Sequence, residues 1–382
     1  MTRVAIVSGV RTPIAKKGKS YRDVHPVDLL ATSFNGALAA AGIEPESVDM
    51  GLAGATGQVG GQAQNIGRNA WLSSGLPISV PISTLDAQCP SSQLATHLGA
   101  ASIVAGDASV VITGGVESLT RVPTGIAGTV GEDGPISQSL RAHWDMPHQG
   151  EAAERAADKY GITREACDEY GVRSHLAAHA AWERGAFDDE VVHVAVDGTA
   201  LLHRDEGIRP DSSIEKAGKL PGVYRPDGVN NAANSSQLSD GSAAMVLASE
   251  EACTRFGLTP LAWIRSTTFV GNDPDIIFDG PNYATAKILD RTGLTLDDMR
   301  LIDVHEAYAV PVLIFQEHFG VSPDRVNLDG GAISIGHPFG ATGARQLLHL
   351  AHALRAAGGG LALSTMCGGG GIATATVIES AE

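Results

Sequence analysis

The feature that most restricts the fold of this chain is an order of predicted elements that occurs twice: a strand, a turn with a reactive side chain, a helix, a second strand and a glycine turn. In the first copy, residues 80–85 have an apolar strand pattern, and the small-residue stretch 92–105 predicts a helix. Cys89 lies in the turn between them. A buried strand is predicted at 108–113, where two glycines are expected to end it.

The second copy lies in the last third of the chain. Residues 301–304 predict a strand that runs into His305, and a helix is predicted at 344–356. A short strand at 361–363 follows, and we expect Cys367 on the glycine-rich turn after it. Strands that alternate with helices form sheets covered on both faces. The sequence therefore predicts an α/β fold with two related βαβ-rich halves.

Residues 119–238 do not follow this pattern. They contain a polar stretch at 125–147 and two charged helices, predicted at 151–160 and 164–184. We interpret this segment as an insertion that carries ligand contacts. The predicted domain limits are an N-terminal half at 1–118 with 239–255 returning to it, an inserted loop domain at 119–238, and a C-terminal half at 256–382.

The composition excludes several classes of function. The chain has 382 residues, 43% of them hydrophobic and 18% charged, which fits a globular core rather than disorder. Its formal net charge of −16 argues against non-specific binding to nucleic acid or to an anionic membrane. No segment approaches the roughly 18 uninterrupted apolar residues of a membrane span, and the first residues lack a signal peptide pattern. We therefore expect no nucleic-acid partner and no membrane insertion.

The four cysteines are far apart, and none forms a CxxC pair. Neither a disulfide scaffold nor a zinc knuckle is indicated, so we expect a reduced, cytoplasmic protein without a metal site. Cys89 lies where a helix begins, a position that stabilises a thiolate and leaves its backbone N–H free to face an oxyanion. It is a candidate nucleophile; the alternative is a buried structural cysteine, as we interpret Cys167 and Cys253.

Two further candidates lie in glycine-rich surroundings. His337 stands between Gly336 and Pro338, and Cys367 runs into four glycines. An imidazole and a thiol in such loops can work as base and acid on one substrate. The alternative is a loop histidine and a small buried hydrophobe. For His305, at a strand end, two roles stay open. Its ring could simply hydrogen-bond to a backbone group, or it could hold a water molecule or polarise a carbonyl.

Basic side chains are concentrated in one short span of this acidic chain. Such a cluster is either a solvated face or a phosphate clamp. The span contains Arg204, Arg209, Lys216, Lys219 and Arg225.

Together, these motifs resemble those of the thiolase family in order and over nearly the whole chain. The resemblance rests on Gln88-Cys89, Gly114-Gly115-Val116-Glu117-Ser118, His305-Glu306-Ala307-Tyr308, Asn327-Leu328-Asp329-Gly330-Gly331-Ala332, Gly336-His337-Pro338-Phe339-Gly340-Ala341-Thr342-Gly343 and Cys367-Gly368-Gly369-Gly370. Several matched motifs in one order are far more specific than any one of them.

The resemblance implies a dimer-based α/β fold with a five-layer α-β-α-β-α core and a loop domain that binds coenzyme A. It implies a ping-pong reaction on 3-oxoacyl-CoA without a tightly bound cofactor, with coenzyme A as a substrate. Cys89 would be the acylated nucleophile, activated by His337, and Cys367 would move the proton on the second substrate. The backbone N–H groups of Cys89 and Gly369, with His337, would form oxyanion sites.

The resemblance also implies more specific expectations. His305 stands where many thiolases have asparagine, a form similar to thiolases of fatty-acid β-oxidation, so partner enzymes of that pathway are possible. His148, Arg209 and Ser236 resemble the coenzyme A contacts. The residues after Cys89 and Cys367 depart from the commoner family pattern, so the acyl-chain preference stays open.

Four functions remain as alternatives. The first is a degradative thiolase that cleaves 3-oxoacyl-CoA, and the second is a biosynthetic acetyl-CoA acetyltransferase that condenses two acetyl-CoA. A decarboxylating ketosynthase is disfavoured by Cys367, since that chemistry typically uses a second histidine. A non-catalytic acyl-CoA or lipid-binding relative is disfavoured because Cys89, His337 and Cys367 are all present. We expect a homo-oligomer, either a dimer or a dimer of dimers, and we take the small-residue strand 108–113 as one that could extend a sheet across a subunit boundary.

Overall fold

The computed structural model of the chain describes residues 2–132 and 134–381, and its main feature is a ten-stranded mixed sheet. Two of the twelve strands in these residues, β6 and β7, form a separate hairpin. The strands are β1 (Val4–Arg11), β2 (Ala15–Lys16), β3 (Met50–Gly54), β4 (Ile82–Leu85), β5 (Val110–Ser118), β6 (Ala195–Val196), β7 (Thr199–Ala200), β8 (Ser239–Ser249), β9 (Ala262–Gly271), β10 (Met299–Val304), β11 (Leu361–Gly368) and β12 (Ile372–Ser380).

Helices cover both faces of the sheet. The helices are α1 (Pro26–Ala41), α2 (Ile66–Ser73), α3 (Ser91–Ala105), α4 (Gln138–Arg141), α5 (Gln149–Tyr160), α6 (Arg164–Glu183), α7 (Ile214–Gly218), α8 (Glu250–Phe256), α9 (Gly280–Thr292), α10 (Ala309–Phe319) and α11 (Phe339–Ala356). The predicted charged helices at 151–160 and 164–184 are confirmed by α5 and α6.

The strand order in the sheet is β10-β11-β12-β9-β1-β8-β5-β3-β4, with β2 beside β8. In one half, β3 is parallel to β4 and β5, and in the other β10 is parallel to β11. The halves join where β1 and β9 share three antiparallel pairs, from Val4↔Ile264 to Ile6↔Ala262. β8 lies between β1 and β5. The division of the chain into three domains at the predicted limits stays a prediction.

Alternating side chains on the strands build separate apolar layers. On β8, Ala244 and Val246 pack with Phe34 of α1, while Met245 and Leu247 pack with Leu347 of α11. Since successive strand residues point to opposite faces, one strand contributes to both layers. Helices α3 and α11 lie between the two halves. Helices α1 and α2 cover the outer face of the half that contains β3 and β4, and α9 and α10 cover the outer face of the half that contains β10 and β11. The predicted α-β-α-β-α order is therefore present.

The prediction that β5 ends at Gly114-Gly115 was wrong. The strand continues to Ser118. A Cβ at Gly115 would lie 2.0 Å from the Gly340 carbonyl oxygen, and one at Gly114 would lie 2.3 Å from the Ala243 carbonyl oxygen. These glycines therefore allow a close approach of backbones rather than a turn. They let the start of α11 rest directly on the sheet.

Two other sequence-based placements were also wrong. Cys367 lies inside β11, because β11 extends to Gly368, and it pairs there with Ala373 of β12. The strand at 108–113 cannot extend the sheet across a subunit boundary, since β5 is an interior strand between β3 and β8. The ends of the strand order are β4 and β10.

A buried charge network ties the segment after α6 to the core. Arg11 of β1 bonds Glu190 at 2.6 Å and Asp205 at 2.7 Å. The imidazole of His349, on α11, lies 3.0 Å from both Glu190 and Asp329. Nearby carboxylates outweigh burial and raise the pKa of His349 to about 9, so the ring is an imidazolium at neutral pH.

Candidate active site

Three predicted catalytic side chains from distant parts of the chain meet in the interior. The Cys89 sulfur and ring nitrogens of His305 and His337 all lie within 4.8 Å of one another. The two imidazole Nε2 atoms are 3.2 Å apart. The thiol of Cys367 is close enough to Cys89 that the charge of Cys89 adds to burial in raising the pKa of the Cys367 thiol. The structure thus brings all four predicted catalytic residues into one buried cluster.

A strained turn between β4 and α3 positions Cys89. Gln88 has a φ of 56°, a left-handed conformation that is uncommon for a residue with a side chain. Asp86 accepts a hydrogen bond from the Gln88 N–H at 2.7 Å. The Ser91 hydroxyl donates to the Gln88 carbonyl at 2.5 Å and accepts from the Ala87 N–H at 2.9 Å. These bonds hold the turn in its strained form and aim the thiol inward.

The resting state of Cys89 differs from the sequence-based expectation. The position before α3 suggested a stabilised thiolate. In the structure, burial raises the pKa of Cys89 to about 12, although the backbone N–H groups of Cys89 and Gly369 oppose this shift. Desolvation outweighs the helix terminus here, so Cys89 rests as a thiol. Its activation requires a base within reach.

The surroundings of His337 fix its tautomer. Its Nδ1 lies 2.7 Å from the Thr342 hydroxyl. Since that hydroxyl donates its own hydrogen to the Pro338 carbonyl at 3.0 Å, it accepts from the ring. Nδ1 therefore carries the ring proton, and Nε2 presents a lone pair toward the cluster. The His337 N–H donates to the Gln237 carbonyl at 3.0 Å, which fixes the backbone.

His305 is placed by the end of β10. Its N–H donates to the Thr365 carbonyl at 2.9 Å. Asn327, with a φ of 51°, bonds both the N–H and the carbonyl of Val304 at 2.8 Å. In this state the Nε2–H of His305 donates to the His337 lone pair. Nδ1 of His305 is buried and has no hydrogen-bond partner in the described residues.

Both imidazoles are neutral at physiological pH. Burial, with a contribution from the Arg345 guanidinium, lowers the pKa of His305 to about 3. Burial, followed by the neighbouring His305 and Arg345, lowers the pKa of His337 well below its usual value. Neutral rings can accept a proton or offer a lone pair, so both retain the chemistry that the sequence suggested.

The glycine turn after Cys367 packs onto the turn that holds Cys89. A Cβ at Gly368 would lie 2.8 Å from Cδ of Pro90, and one at Gly369 would lie 2.7 Å from the Gln149 amide nitrogen. The backbone N–H of Gly369 lies near enough to Cys89 to oppose the rise in the pKa of the Cys89 thiol. Burial raises the pKa of the Cys367 thiol well above its usual value, so it is protonated in this state.

Glu117 is a supporting residue that the sequence reasoning used only as part of a motif. Its carboxylate accepts hydrogen bonds from the N–H groups of Thr56 at 2.9 Å and Gly57 at 3.1 Å, and from the Gln62 amide at 2.5 Å. It also accepts from the Gly340 N–H at 2.9 Å, in the first turn of α11. Glu117 therefore anchors the helix start that follows His337.

Two of the three predicted coenzyme A contacts share a surface cavity of about 320 Å³. The cavity wall continues into the active site, because the Gln237 carbonyl bonds the His337 N–H. The lining residues are Lys16, Lys17, Arg209, Ala232, Ser235, Ser236, Gln237 and Leu238. Sequence reasoning missed the two lysines, which are remote from the basic span.

His148, the third predicted contact, does not line this cavity. It caps α5 by accepting a hydrogen bond from the Gly150 N–H at 3.1 Å. Its ring packs against Tyr224, with centroids 5.7 Å apart, and Tyr224 in turn lies 3.1 Å from the Tyr308 hydroxyl. His148 therefore belongs to an aromatic group beside the active site.

Four of the five basic residues in the span 204–225 have carboxylate partners. The pairs are Arg204–Glu183, Lys216–Asp211, Lys219–Glu215 and Arg225 with Glu151 and Asp158. Arg209 has no ion pair within the part of the chain that the structure describes, and its guanidinium bonds the Ala232 carbonyl at 3.4 Å. The cluster is thus largely a solvated face with one available cation.

None of the described helices has the length and apolar character needed to cross a membrane.

Comparison with known proteins identifies the family. Residues 4–251 match the family model described as thiolase, N-terminal domain, and residues 258–380 match the one described as thiolase, C-terminal domain. The chain therefore belongs to the thiolase family. The predicted family and the acyltransferase class are confirmed.

Curated relatives and solved structures span the chain. Steroid 3-ketoacyl-CoA thiolase FadA6 from Mycobacterium tuberculosis is 40% identical, covering 99% of this chain and 94% of that protein. An acetyl-CoA acetyltransferase from Chromobacterium violaceum is 37% identical, covering 98% of this chain and 99% of that protein. The crystal structure of human mitochondrial 3-ketoacyl-CoA thiolase in complex with CoA superposes with a TM-score of 0.90 at 34% identity, over 99% of this chain and 98% of that one. The predicted fold is confirmed.

Proposed function

We propose that this thiolase cleaves 3-oxoacyl-CoA with coenzyme A, giving acetyl-CoA and an acyl-CoA shortened by two carbons. The observation that carries the proposal is the buried cluster of Cys89, His305 and His337, beside Cys367. It supplies a nucleophile, a neutral base and a second thiol. Breaking a carbon–carbon bond next to a carbonyl needs these three functions and a site for negative charge.

In the first half-reaction, Nε2 of His337 takes the Cys89 proton, and the sulfur attacks the 3-oxo carbon. The bond between C2 and C3 breaks, and its electron pair stays on C2 of the departing acetyl-CoA. The Cys367 thiol gives its proton to that carbon. After this step, Cys89 carries an acyl thioester, acetyl-CoA is free, Cys367 is a thiolate and His337 is an imidazolium.

In the second half-reaction, the Cys367 thiolate takes the proton from the thiol of an incoming coenzyme A. The coenzyme A sulfur attacks the acyl thioester on Cys89 and releases the shortened acyl-CoA. The Cys89 sulfur then recovers its proton from His337. Each group returns to its starting state, so the cycle needs no external oxidant or reductant.

Two sets of donors suit the negative charges that form. The backbone N–H groups of Cys89 and Gly369 both lower the pKa of the Cys89 thiol, and donors so close to the reacting sulfur suit the oxygen on the attacked carbon. The imidazole N–H of His305 donates to His337 at rest, and a thioester oxygen of the bound substrate would take its place. Preorganised donors of this kind commonly contribute the largest share of acyl-transfer catalysis.

For the coenzyme A site we favour the cavity bounded by Lys16, Lys17, Arg209 and Ser236. Three cations in a chain of net charge −16 provide the local positive charge that phosphate groups require. The shared wall at Gln237 leads from this cavity to His337. His148 would contact the part of coenzyme A that lies nearest the reacting thioester.

The biosynthetic direction is the second candidate, because relatives named acetyl-CoA acetyltransferase align over the same length. One site catalyses both directions. The degradative direction is favoured by His305, whose histidine form resembles β-oxidation thiolases, and by the relatives named 3-ketoacyl-CoA thiolase. Partner enzymes of β-oxidation would then supply the substrate.

A substrate panel tests the proposal. Thiolysis of 3-oxoacyl-CoA esters from four carbons to long-chain and ring-bearing acyl groups should be measured beside acetyl-CoA condensation. We expect thiolysis of at least one ester and an acyl adduct on Cys89 in peptide mass spectrometry, absent from Cys89→Ser. An adduct on another residue, with Cys89 unmodified, would contradict the mechanism.

For the assembly and location, we propose a cytoplasmic homo-oligomer that uses the edge strand β4. Of the two end strands, β10 is partly covered by a bridge between Ile302 and Val326, whereas β4 pairs with β3 alone among the described strands. Ile78, next to this edge, is 81% exposed. Exposed strand edges beside apolar residues favour association. A monomeric mass by sedimentation at micromolar concentration would contradict this.

A further inference from the structure

The cluster of Cys89, His305 and His337 has the geometry of a metal site as well as that of a catalytic one. The three potential ligand atoms lie within 4.8 Å of one another. Two imidazole nitrogens bound to one tetrahedral zinc at about 2.0–2.1 Å are separated by about 3.3 Å. The Nε2 atoms of His305 and His337 are 3.2 Å apart without any rearrangement.

The surroundings of both histidines suit metal binding. Nδ1 of His337 donates to Thr342, so Nε2 offers its lone pair, which is the arrangement that orients metal-bound histidines. Among the described residues, Nδ1 of His305 has no partner that locks its tautomer, so Nε2 of His305 can also present a lone pair. Neutral imidazole and thiolate are the ligands that zinc prefers.

We propose that Cys89 Sγ, His305 Nε2 and His337 Nε2 form a three-ligand site for Zn²⁺ that inhibits the enzyme reversibly. Zinc replaces the thiol proton of Cys89, which passes to solvent, and a sulfur–zinc bond forms without any change of oxidation state. A water molecule completes the tetrahedron. The ligation removes the nucleophile and the base together.

The inhibition rests on the proposed function, but the binding does not. Zinc is an inhibitor in this scheme and takes no part in acyl transfer. Sequence spacing could not suggest the site, because Cys89 lies more than 200 residues from both histidines. Oxygen-preferring cations such as Mg²⁺ and Ca²⁺ are not expected to bind to one thiolate and two imidazoles.

Competition with a chromophoric chelator tests binding directly. Reduced, metal-free wild-type protein should take up one equivalent of Zn²⁺ from the chelator. His305→Asn, which places the residue of many thiolases at this position, should bind zinc weaker by on the order of 100-fold or more. As a matched control, the double variant His193→Asn/His203→Asn removes a surface histidine pair whose rings lie 5.2 Å apart, and it should bind as wild type does.

Two further measurements test zinc binding without His305→Asn, in case that variant folds poorly. Co²⁺ should give a thiolate charge-transfer band that Cys89→Ser lacks. Zn²⁺ should slow alkylation of Cys89 by iodoacetamide at least tenfold, and a chelator should restore the rate. Zinc uptake that is equal in wild type and His305→Asn, or alkylation unaffected by zinc, would overturn the proposal. Zinc binding without thiolysis would instead contradict the proposed function alone.

Discussion

The Glu117 carboxylate accepts a hydrogen bond from the Gly340 N–H at 2.9 Å, across 223 residues of sequence. Glu117 is at the end of β5, and Gly340 is in the first turn of the helix that follows His337. The same carboxylate holds the loop at Thr56 and Gly57. One buried side chain thus fixes the distance between the sheet and the loop that carries His337.

Replacing this carboxylate should therefore loosen His337. Glu117→Gln puts an amide N–H against backbone donors and leaves buried donors unpaired, which costs about 1–3 kcal/mol of unfolding free energy. We expect kcat to fall while the KM for coenzyme A stays near the wild-type value. Urea unfolding and steady-state thiolysis measure the two effects.

Glu183→Gln is the matched control, because this exposed carboxylate pairs with Arg204, which is also exposed. It should leave both the unfolding free energy and kcat nearly unchanged. A Glu117→Gln enzyme with normal kcat would contradict the positioning role.

Thr342 should act by setting the tautomer of His337. Thr342→Val removes the acceptor for the Nδ1 proton at similar volume, so the ring can place its proton on Nε2, the wrong nitrogen. We expect kcat to fall roughly 10–100-fold, part of the general-base contribution. Thr342→Ser restores the hydroxyl and should recover most of the rate. Equal rates for the valine and serine variants would show that the hydroxyl does not matter.

Cys367 and His337 should have separable roles. Cys367→Ala should form the acyl-enzyme from a simple acyl-CoA, yet fail to exchange the α-proton of acetyl-CoA, because in the proposed mechanism the second thiol carries the proton for that carbon. His337→Ala should be impaired in both. Hydrogen–deuterium exchange into acetyl-CoA, measured beside acyl-enzyme formation, separates the two steps. Cys253→Ala is the control, because it removes a thiol outside the site. Normal exchange of the α-proton in Cys367→Ala would refute the proposed role of Cys367.

The basic cavity should bind the phosphates of coenzyme A. Arg209→Gln and the double variant Lys16→Gln/Lys17→Gln should each raise the KM for coenzyme A, since charge-assisted phosphate contacts are lost. Thiolysis with a short pantetheine thioester and pantetheine should keep its wild-type kcat. Lys219→Gln, which removes an exposed lysine paired with Glu215, should change neither. An equal loss with both substrates would argue against phosphate binding.

His349 should make stability depend on pH. Its folded-state pKa is raised to about 9 by Glu190 and Asp329, above the unfolded value near 6.5. The stabilisation is therefore complete below about pH 6.5 and is lost as pH rises through about 9, an effect of roughly 1–3 kcal/mol. His349→Gln should flatten the unfolding free energy across this window.

His97 provides the control for that experiment. It is also a buried histidine, bonded to Thr376 at 2.7 Å, but burial lowers its pKa to about 3. His97 is neutral in both states above about pH 6.5, so His97→Gln should leave the pH slope unchanged. If the unfolding free energy of His349→Gln still falls with rising pH as in wild type, the pH dependence comes from groups other than His349.

The sequence by itself determined the family and the α/β class, and it predicted the candidate catalytic residues. Glycine-flanked His337, the cysteine at the start of α3 and the histidine after β10 are local patterns. Local patterns are encoded by neighbouring residues, because turn chemistry and apolar periodicity act over only a few positions. For the same reason the charged helices α5 and α6 could be predicted.

Only the tertiary structure decided the features that depend on distant packing. β5 passes through Gly114-Gly115 because α11 lies against that strand, not because the chain turns there. The Cys89 thiol is protonated because burial outweighs the helix terminus, and burial cannot be obtained from spacing. Lys16 and Arg209 share a cavity, and His305 meets His337 at 3.2 Å, through contacts between remote segments. Desolvation and distance are set by the whole fold. The sequence therefore indicates which side chains are candidates for reaction, but not their protonation states or the residues that they contact.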